Sequence, residues 1–423
     1  MLNKKILFLA VIIVMSLSCR SLTNVVEPER LRNFPPEISV GDIVHVATGE
    51  KITFSQLADS FDGARIVYVG EIHSNKESHD VQMQVLKEFY KRYGDNIAVG
   101  MEMFKRPHQD VLDKWTGGEI SEKDLLSSTD WRHEWGFNYS LYKDIMDFTR
   151  DNKILLVALN ITREFQKKIS EKGIEGLSKE ERESLPEIDT DDFYHRRYLD
   201  RIFKGHADVS DDVGKFYEVQ CAWEDIMADS ISRYLSSPEG KDKKFLVFIG
   251  GGHIIYHFGV PKRVYRRNHL PYRTIYTYEL RDLKPEDEHP LFAKDIPLQP
   301  ADYVRIIQLP KQQKKVALGV MIRNVKEEKE EKEEKEEKEE KEEQEDKVVI
   351  ESVLEGSPAG KAKLQAGDII LSMDGESISR VYEVIHHVGK KKTGDTCEIE
   401  ISREGRKIPV EVTFFEIKGH GKK

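Results

Sequence analysis

Ile66-Val67-Tyr68-Val69-Gly70-Glu71-Ile72-His73 passes from four apolar, mostly β-branched residues into a glycine, a carboxylate and an imidazole. Three later stretches repeat the arrangement. Ile97-Ala98-Val99 leads into Gly100-Met101-Glu102-Met103, Ile154-Leu155-Leu156-Val157-Ala158-Leu159 into Asn160, and Phe245-Leu246-Val247-Phe248-Ile249 into Gly250-Gly251-Gly252-His253. Continuous apolar runs are what strands covered on both faces require. Between them, 79–93, 139–151, 191–203 and 216–235 carry apolar residues at helical spacing. The pattern predicts an α/β domain over 41–310, with a mainly parallel central sheet flanked by helices.

In an open parallel sheet the ligand crevice lies outside the carboxyl ends of the strands. Glu71, His73, Glu102, Asn160 and His253 each follow a predicted strand directly and would meet there. Glycines beside them let the chain turn tightly and let a ligand approach closely. Imidazole and carboxylate donors suit a divalent metal such as zinc or manganese, with His73, His253 and Glu71 as ligands. A metal-bound water with Glu71 or Glu102 as base would make a hydrolase. No HExxH-type motif is present, and the spacing neither demands nor forbids a metal.

The chain has 423 residues, enough for two or three domains, and a formal net charge of −10. That balance argues against a general nucleic-acid binder. Three cysteines exclude a disulfide scaffold, and Cys221 and Cys397 read as buried small hydrophobes. Residues 1–18 read as a signal peptide: Lys4 and Lys5 precede the apolar run Ile6 to Met15, too short to span a membrane. Ser16-Leu17-Ser18-Cys19 follows and resembles a relaxed bacterial lipobox, with Cys19 the lipidated residue and membrane attachment through that lipid. Residues 19–40, with Pro28, Pro35 and Pro36, read as a tether. The expected location is the bacterial cell envelope, at the outer membrane or its periplasmic face.

Composition changes sharply at 326–346, where six Lys, thirteen Glu and Asp346 carry −8. Such a run cannot bury a core and reads as a solvated spacer. Most of the chain's acidity is therefore in this insert and says little about the crevice. Around it, 314–418 reads as one small β-rich domain. Gly356-Ser357-Pro358-Ala359, Gly367-Asp368-Ile369-Ile370, Asp374-Gly375 and Arg403-Glu404-Gly405 resemble a PDZ domain of the bacterial protease-associated type. The resemblance implies capture of a protein C-terminus or extended peptide by β-augmentation. The carboxylate loop would be Leu318, Gly319 and Val320.

Residues 66–265 resemble the ChaN family of haem-binding lipoproteins, in the group that contains the Tiki and erythromycin-esterase-like proteins. The matching residues are Gly70-Glu71-Ile72-His73, Gly100-Met101-Glu102-Met103, Tyr142, Val157-Ala158-Leu159-Asn160, Gln220 with Met227-Ala228, and Gly252-His253 with Gly259-Val260-Pro261. Glu224 departs from the pattern, where Asp is expected. The resemblance implies haem binding and a role in iron acquisition, and leaves a homodimer open. Haem needs an iron ligand and partners for two propionates. Tyr142 is one candidate ligand, because it matches a family position. Tyr194 and Tyr198 are the other candidates, sharing a helix face with Arg197 beside them for carboxylates. The helix 216–235 puts Gln220, Glu224 and Met227 on one stripe. The same resemblance carries a competing reading, since Tiki-like proteins cleave peptides with two Gly-x-x-His motifs around a metal. Gly70 to His73 and Gly250 to His253 both fit that pattern. A scaffold without chemistry is a third reading.

Overall fold

The computed structural model describes residues 35, 37–204, 213–281, 291, 293, 295–310, 316–326, 346–379 and 381–416. The expected signal peptide 1–18, Cys19, most of the 19–40 tether and 327–345 of the Lys/Glu run lie outside the described residues. The chain divides into two compact units, the first ending at Leu309 and the second beginning at Pro310.

The first unit is built on eight strands: β1 (Ile43–His45), β2 (Glu50–Ile52), β3 (Ile66–Glu71), β4 (Ile97–Lys105), β5 (Leu155–Asn160), β6 (Lys244–Gly250), β7 (Tyr272–Leu280) and β8 (Tyr303–Gln308). Their order in the sheet is β2-β1-β8-β7-β3-β6-β4-β5. Neighbours from β8 through β5 are parallel, while β1 pairs antiparallel with both β8 and β2. The helices that matter here are α1 (Lys76–Tyr93), α2 (Gln109–Thr116), α3 (Lys143–Asp151), α4 (Phe193–Lys204), α5 (Val213–Ser236) and α6 (Val260–Asn268).

Period-two alternation divides β3 between two cores. Val67 and Val69 pack with Val85, Leu86 and Phe89 of α1 and with Ile145 and Met146 of α3. Ile66 and Tyr68 pack on the other face with Met227, Ile231 and Leu235 of α5 and Val264 of α6. β3 and β4 are buried along their whole length, as their unbroken apolar sequence demands.

All four predicted strands and four predicted helices are present. α1 begins at Lys76, ahead of the first apolar position. Asn75 caps it, accepting from Glu77 N at 2.9 Å, and the Asn75 amide also donates to Glu279 Oε1 and Gln308 O. β7 and β8 extend the parallel sheet beyond the sequence expectation. Arg273, Thr274, Thr277 and Glu279 interrupt the apolar run of β7.

The second unit is an antiparallel sheet, ordered β14-β13-β11-β10-β9, with β12 paired to β11. The strands are β9 (Val320–Lys326), β10 (Asp346–Val353), β11 (Ile369–Met373), β12 (Glu376–Ser377), β13 (Thr396–Arg403) and β14 (Arg406–Thr413), with helix α7 (Val381–Gly389). Glu404 and Gly405, at φ 51° and 78°, form the two-residue turn between β13 and β14. Asp368 fixes the core edge by receiving Arg403 Nε at 2.6 Å and Nη2 at 2.7 Å. β9 and β10 pair from Val320 opposite Val353 to Lys326 opposite Asp346, so the charged insert leaves and re-enters at the hairpin's far end.

Candidate functional site

The carboxyl ends of β3, β4, β5 and β6 bring Glu71, Glu102, Asn160 and His253 together, with His73 two residues past Glu71. Glu71 is buried and held from three sides. Its Oε1 accepts from Tyr142 OH at 2.8 Å and faces His73 Nδ1 at 2.7 Å, and its Oε2 accepts from Gln82 Nε2 at 2.7 Å. His79 Nδ1 lies 3.5 Å from the same Oε2. With Nδ1 committed to Glu71, Nε2 is the second nitrogen of His73. It lies where a Cβ on residue 250 would be only 3.0 Å away, and glycine at 250 gives the ring its room.

Glu102 receives Gly250 N on Oε2 at 2.6 Å. Among the described residues its Oε1 is buried without a hydrogen-bond partner, 3.4 Å from His253 Nε2. On the other side of that ring, His253 Nδ1 lies 3.2 Å from Glu224 Oε1 and 3.0 Å from Gln220 Nε2. Arg263 closes the chain, donating from Nε to Glu224 Oε2 at 3.3 Å and from Nη1 to Asp225 Oδ2 at 2.7 Å. Gly259, at φ 60°, packs so tightly here that a Cβ would lie 2.7 Å from Glu224 Oε1.

This alternation of acid and base sets the charges. Burial opposes a charge on His253, but Glu102 and Glu224 on its two sides outweigh it and push its pKa up to about 10. Burial also opposes the carboxylates, yet His253 and His73 draw Glu102 down to about 2. His195, His253 and Arg263 draw Glu224 down to about 2 against the same penalty. For His73, burial is overcome by its hydrogen bond to Glu71 and the charge of Glu102, which raise its pKa. At neutral pH the centre is an imidazolium clamped between two carboxylates.

The remaining expected residues fall into two groups. Asn160 is a brace: its amide donates to Glu102 O at 3.1 Å, and its carbonyl accepts from Trp223 Nε1 at 2.6 Å and from Ile161 N. Tyr142 is another, fully buried, donating to Glu71 and accepting from Trp135 Nε1 at 3.0 Å. Tyr194, Arg197 and Tyr198 sit apart on α4. Tyr194 is 37% exposed beside Phe193, Tyr198 packs on Tyr256 and Phe258, and Arg197 bonds Asp295. The same helix instead points His195 inward, with Nε2 3.7 Å from Glu224 Oε2 and neither nitrogen hydrogen-bonded among the described residues.

The expected metal ligands His73, His253 and Glu71 are engaged with one another's neighbours in this geometry. Among the described residues no group of three or more His, Cys, Asp or Glu side chains is disposed to hold a metal ion. Glu71 spends its oxygens on Tyr142, Gln82 and His73, and both nitrogens of His253 face carboxylates.

His73 is the open member of the cluster, with 28% of its side chain exposed. Trp135 and Phe137 flank it, each ring centroid 4.8 Å from the imidazole. Phe137 is itself 36% exposed, so a flat apolar ligand would find an aromatic edge beside an imidazole. Sequence reading passed over His79, Gln82, Trp135, Trp223 and Arg263. For His79 and Gln82 a signal exists: they interrupt the buried stripe of Val81, Val85, Leu86 and Phe89 on α1.

In the second unit, Leu318, Gly319 and Val320 line a groove of about 1070 Å³ with Val316, Ile322, Val384 and Ile385. Gly319, at φ 80°, turns the chain into β9, which starts at Val320. Among the described residues β9 is the edge strand of its sheet, with its outer side open to a further strand.

Residues 57–264 match the model of the family described as haem-binding uptake, Tiki superfamily, ChaN. Residues 311–414 match the PDZ domain model. A "Probable periplasmic serine endoprotease DegP-like" of Pseudomonas putida (strain W619) is 41% identical over 66 residues, 16% of this chain and 14% of that protein. The chain thus spans about a seventh of that curated relative. Among solved structures, ChaN of Campylobacter jejuni with cofacial haem is similar at a TM-score of 0.48 and 17% identity, over 62% of this chain and 95% of that one. The HtrA3 PDZ domain bound to a phage-derived ligand is similar at a TM-score of 0.18 and 16% identity, over 24% of this chain and 86% of that one.

Proposed function

Since residues 57–264 belong to the ChaN family of haem-binding uptake domains and residues 311–414 form a PDZ domain, we propose that this protein binds haem at the bacterial envelope and serves iron acquisition. The PDZ module recruits a protein partner through its C-terminus, and the lipid on Cys19 holds the assembly at the membrane. The observation that carries the reading is the open His73 between Trp135 and Phe137, above a pre-ordered set of buried acids and bases. These residues fit a haem: an apolar edge for the macrocycle and an imidazole nitrogen not committed to Glu71. Haem would supply the iron being transported. The chain's part is to hold it, exclude water from one face and keep His73 in one tautomer. Tyr194 and Tyr198 stay as the alternative ligands, on a helix face of their own.

A hydrolase is the second reading, favoured by the unpartnered Glu102 Oε1 beside His253. One experiment separates the two. Hemin is titrated into the full chain while the Soret band is followed, and bound metals are assayed on the same sample. A saturable Soret change is expected. No such change, together with stoichiometric zinc or manganese, would overturn the haem reading in favour of the hydrolase.

A further inference from the structure

Lys105 is the last residue of β4, paired with Asn160 across a register shift in the parallel ladder. That shift carries its side chain to the same end of the sheet as Glu102. It is 3% exposed, yet among the described residues no hydrogen bond or ion pair reaches its ammonium. The contact it does make is with the face of Trp135, 5.5 Å from the ring centroid. A buried ammonium is costly unless something pairs with it. Burial lowers its pKa accordingly, Glu102 and Glu134 offset this only through space, and Arg163 opposes them. Glu134 is already taken by Arg163 N at 2.7 Å. Trp135 therefore stands in contact with both, the half-open imidazole of His73 at 4.8 Å and the Lys105 amine over its face at 5.5 Å.

The geometry points to Lys105 as the anchor for a carboxylate of the bound ligand, which, on the haem reading above, is one of the two propionates. A planar ligand seated by His73 and Trp135 would carry its acidic side chain over the ring edge to the ammonium. Arg197, the partner expected from sequence, is already bound to Asp295, and Arg201 lies 3.3 Å from the same carboxylate.

The test uses the full chain with two probes, hemin and hemin dimethyl ester, whose propionates carry no charge. Wild type should bind hemin about tenfold more tightly than the ester, the scale of one charge-assisted hydrogen bond. Lys105→Gln should lose that preference by weakening hemin about tenfold while leaving the ester and the Soret position unchanged. Lys105→Arg, which keeps the charge, should restore it. Equal hemin affinity in wild type and Lys105→Gln would overturn the anchor alone, as would an equal loss for both probes. If Lys105→Gln does not fold, equal affinity of wild type for the two probes overturns it. Wild type that binds neither probe overturns the haem reading and the anchor together.

Discussion

At the residue scale, His253 is the hinge of the electrostatics. Its pKa in the folded chain, about 10, lies above the ordinary 6.5. Its contribution to stability is therefore complete below pH 6.5 and is lost as the pH rises through 10. Glu102 runs the opposite way: lowered from 4.5 to about 2, it stabilises above pH 4.5 and loses its contribution as the pH falls through 2. The cluster as a whole is most stabilising between about pH 4.5 and 6.5. Glu102→Gln removes the acid that raises the His253 pKa most, so the imidazole pKa should fall toward its ordinary range. The loss of stability between pH 6.5 and 10 should also become shallower. Imidazole resonances followed by NMR, with urea melts across that window, read both effects. A His253 pKa still near 10 in the variant would show that Glu102 is not its source.

At the element scale, the edge of the sheet is closed by a side chain. Gln109, the first residue of α2, donates from Nε2 to Leu156 O at 2.7 Å and accepts from Ala158 N at 2.9 Å. It thus pairs β5 as a neighbouring strand would, where an open edge invites other chains. Gln109→Ala should cost about 1–3 kcal/mol, the price of two orphaned backbone groups. It should also promote association at high concentration. Urea unfolding and light scattering measure the two effects, and an unchanged midpoint would mean that water replaces the amide fully. No periodicity announces this role, because Gln109 acts on backbone atoms some fifty positions away in the chain. Strand-end residues were legible for the converse reason. Glu71, Glu102 and His253 each sit at a sharp switch from apolar to polar sequence, and a parallel sheet gathers such switches on one edge. β7 stayed hidden because four polar residues break its apolar run. The work of Tyr142 and Asn160 stayed hidden because a hydrogen-bond partner cannot be read from spacing alone.

At the scale of the whole molecule, the proposed lipid on Cys19 makes a claim on location that the folded units do not. Among the described residues no helix is long and apolar enough to cross a membrane. The proposed lipid on Cys19 would supply the membrane attachment. Cys19→Ser should move the protein from the membrane to the soluble fraction of the envelope, read by fractionation in low and high salt. A variant that stays with the membrane would sink the lipid reading. The hairpin of β9 and β10 raises a different point. Because Lys326 and Asp346 face each other in register, the cross-strand pairing holds both ends of the insert whatever lies between them. Each doubling of such a loop costs only about 0.6 kcal/mol. The position is thus a port at which the chain can be lengthened, shortened or replaced by a reporter, at the opposite end of β9 from Gly319, while the groove keeps its shape.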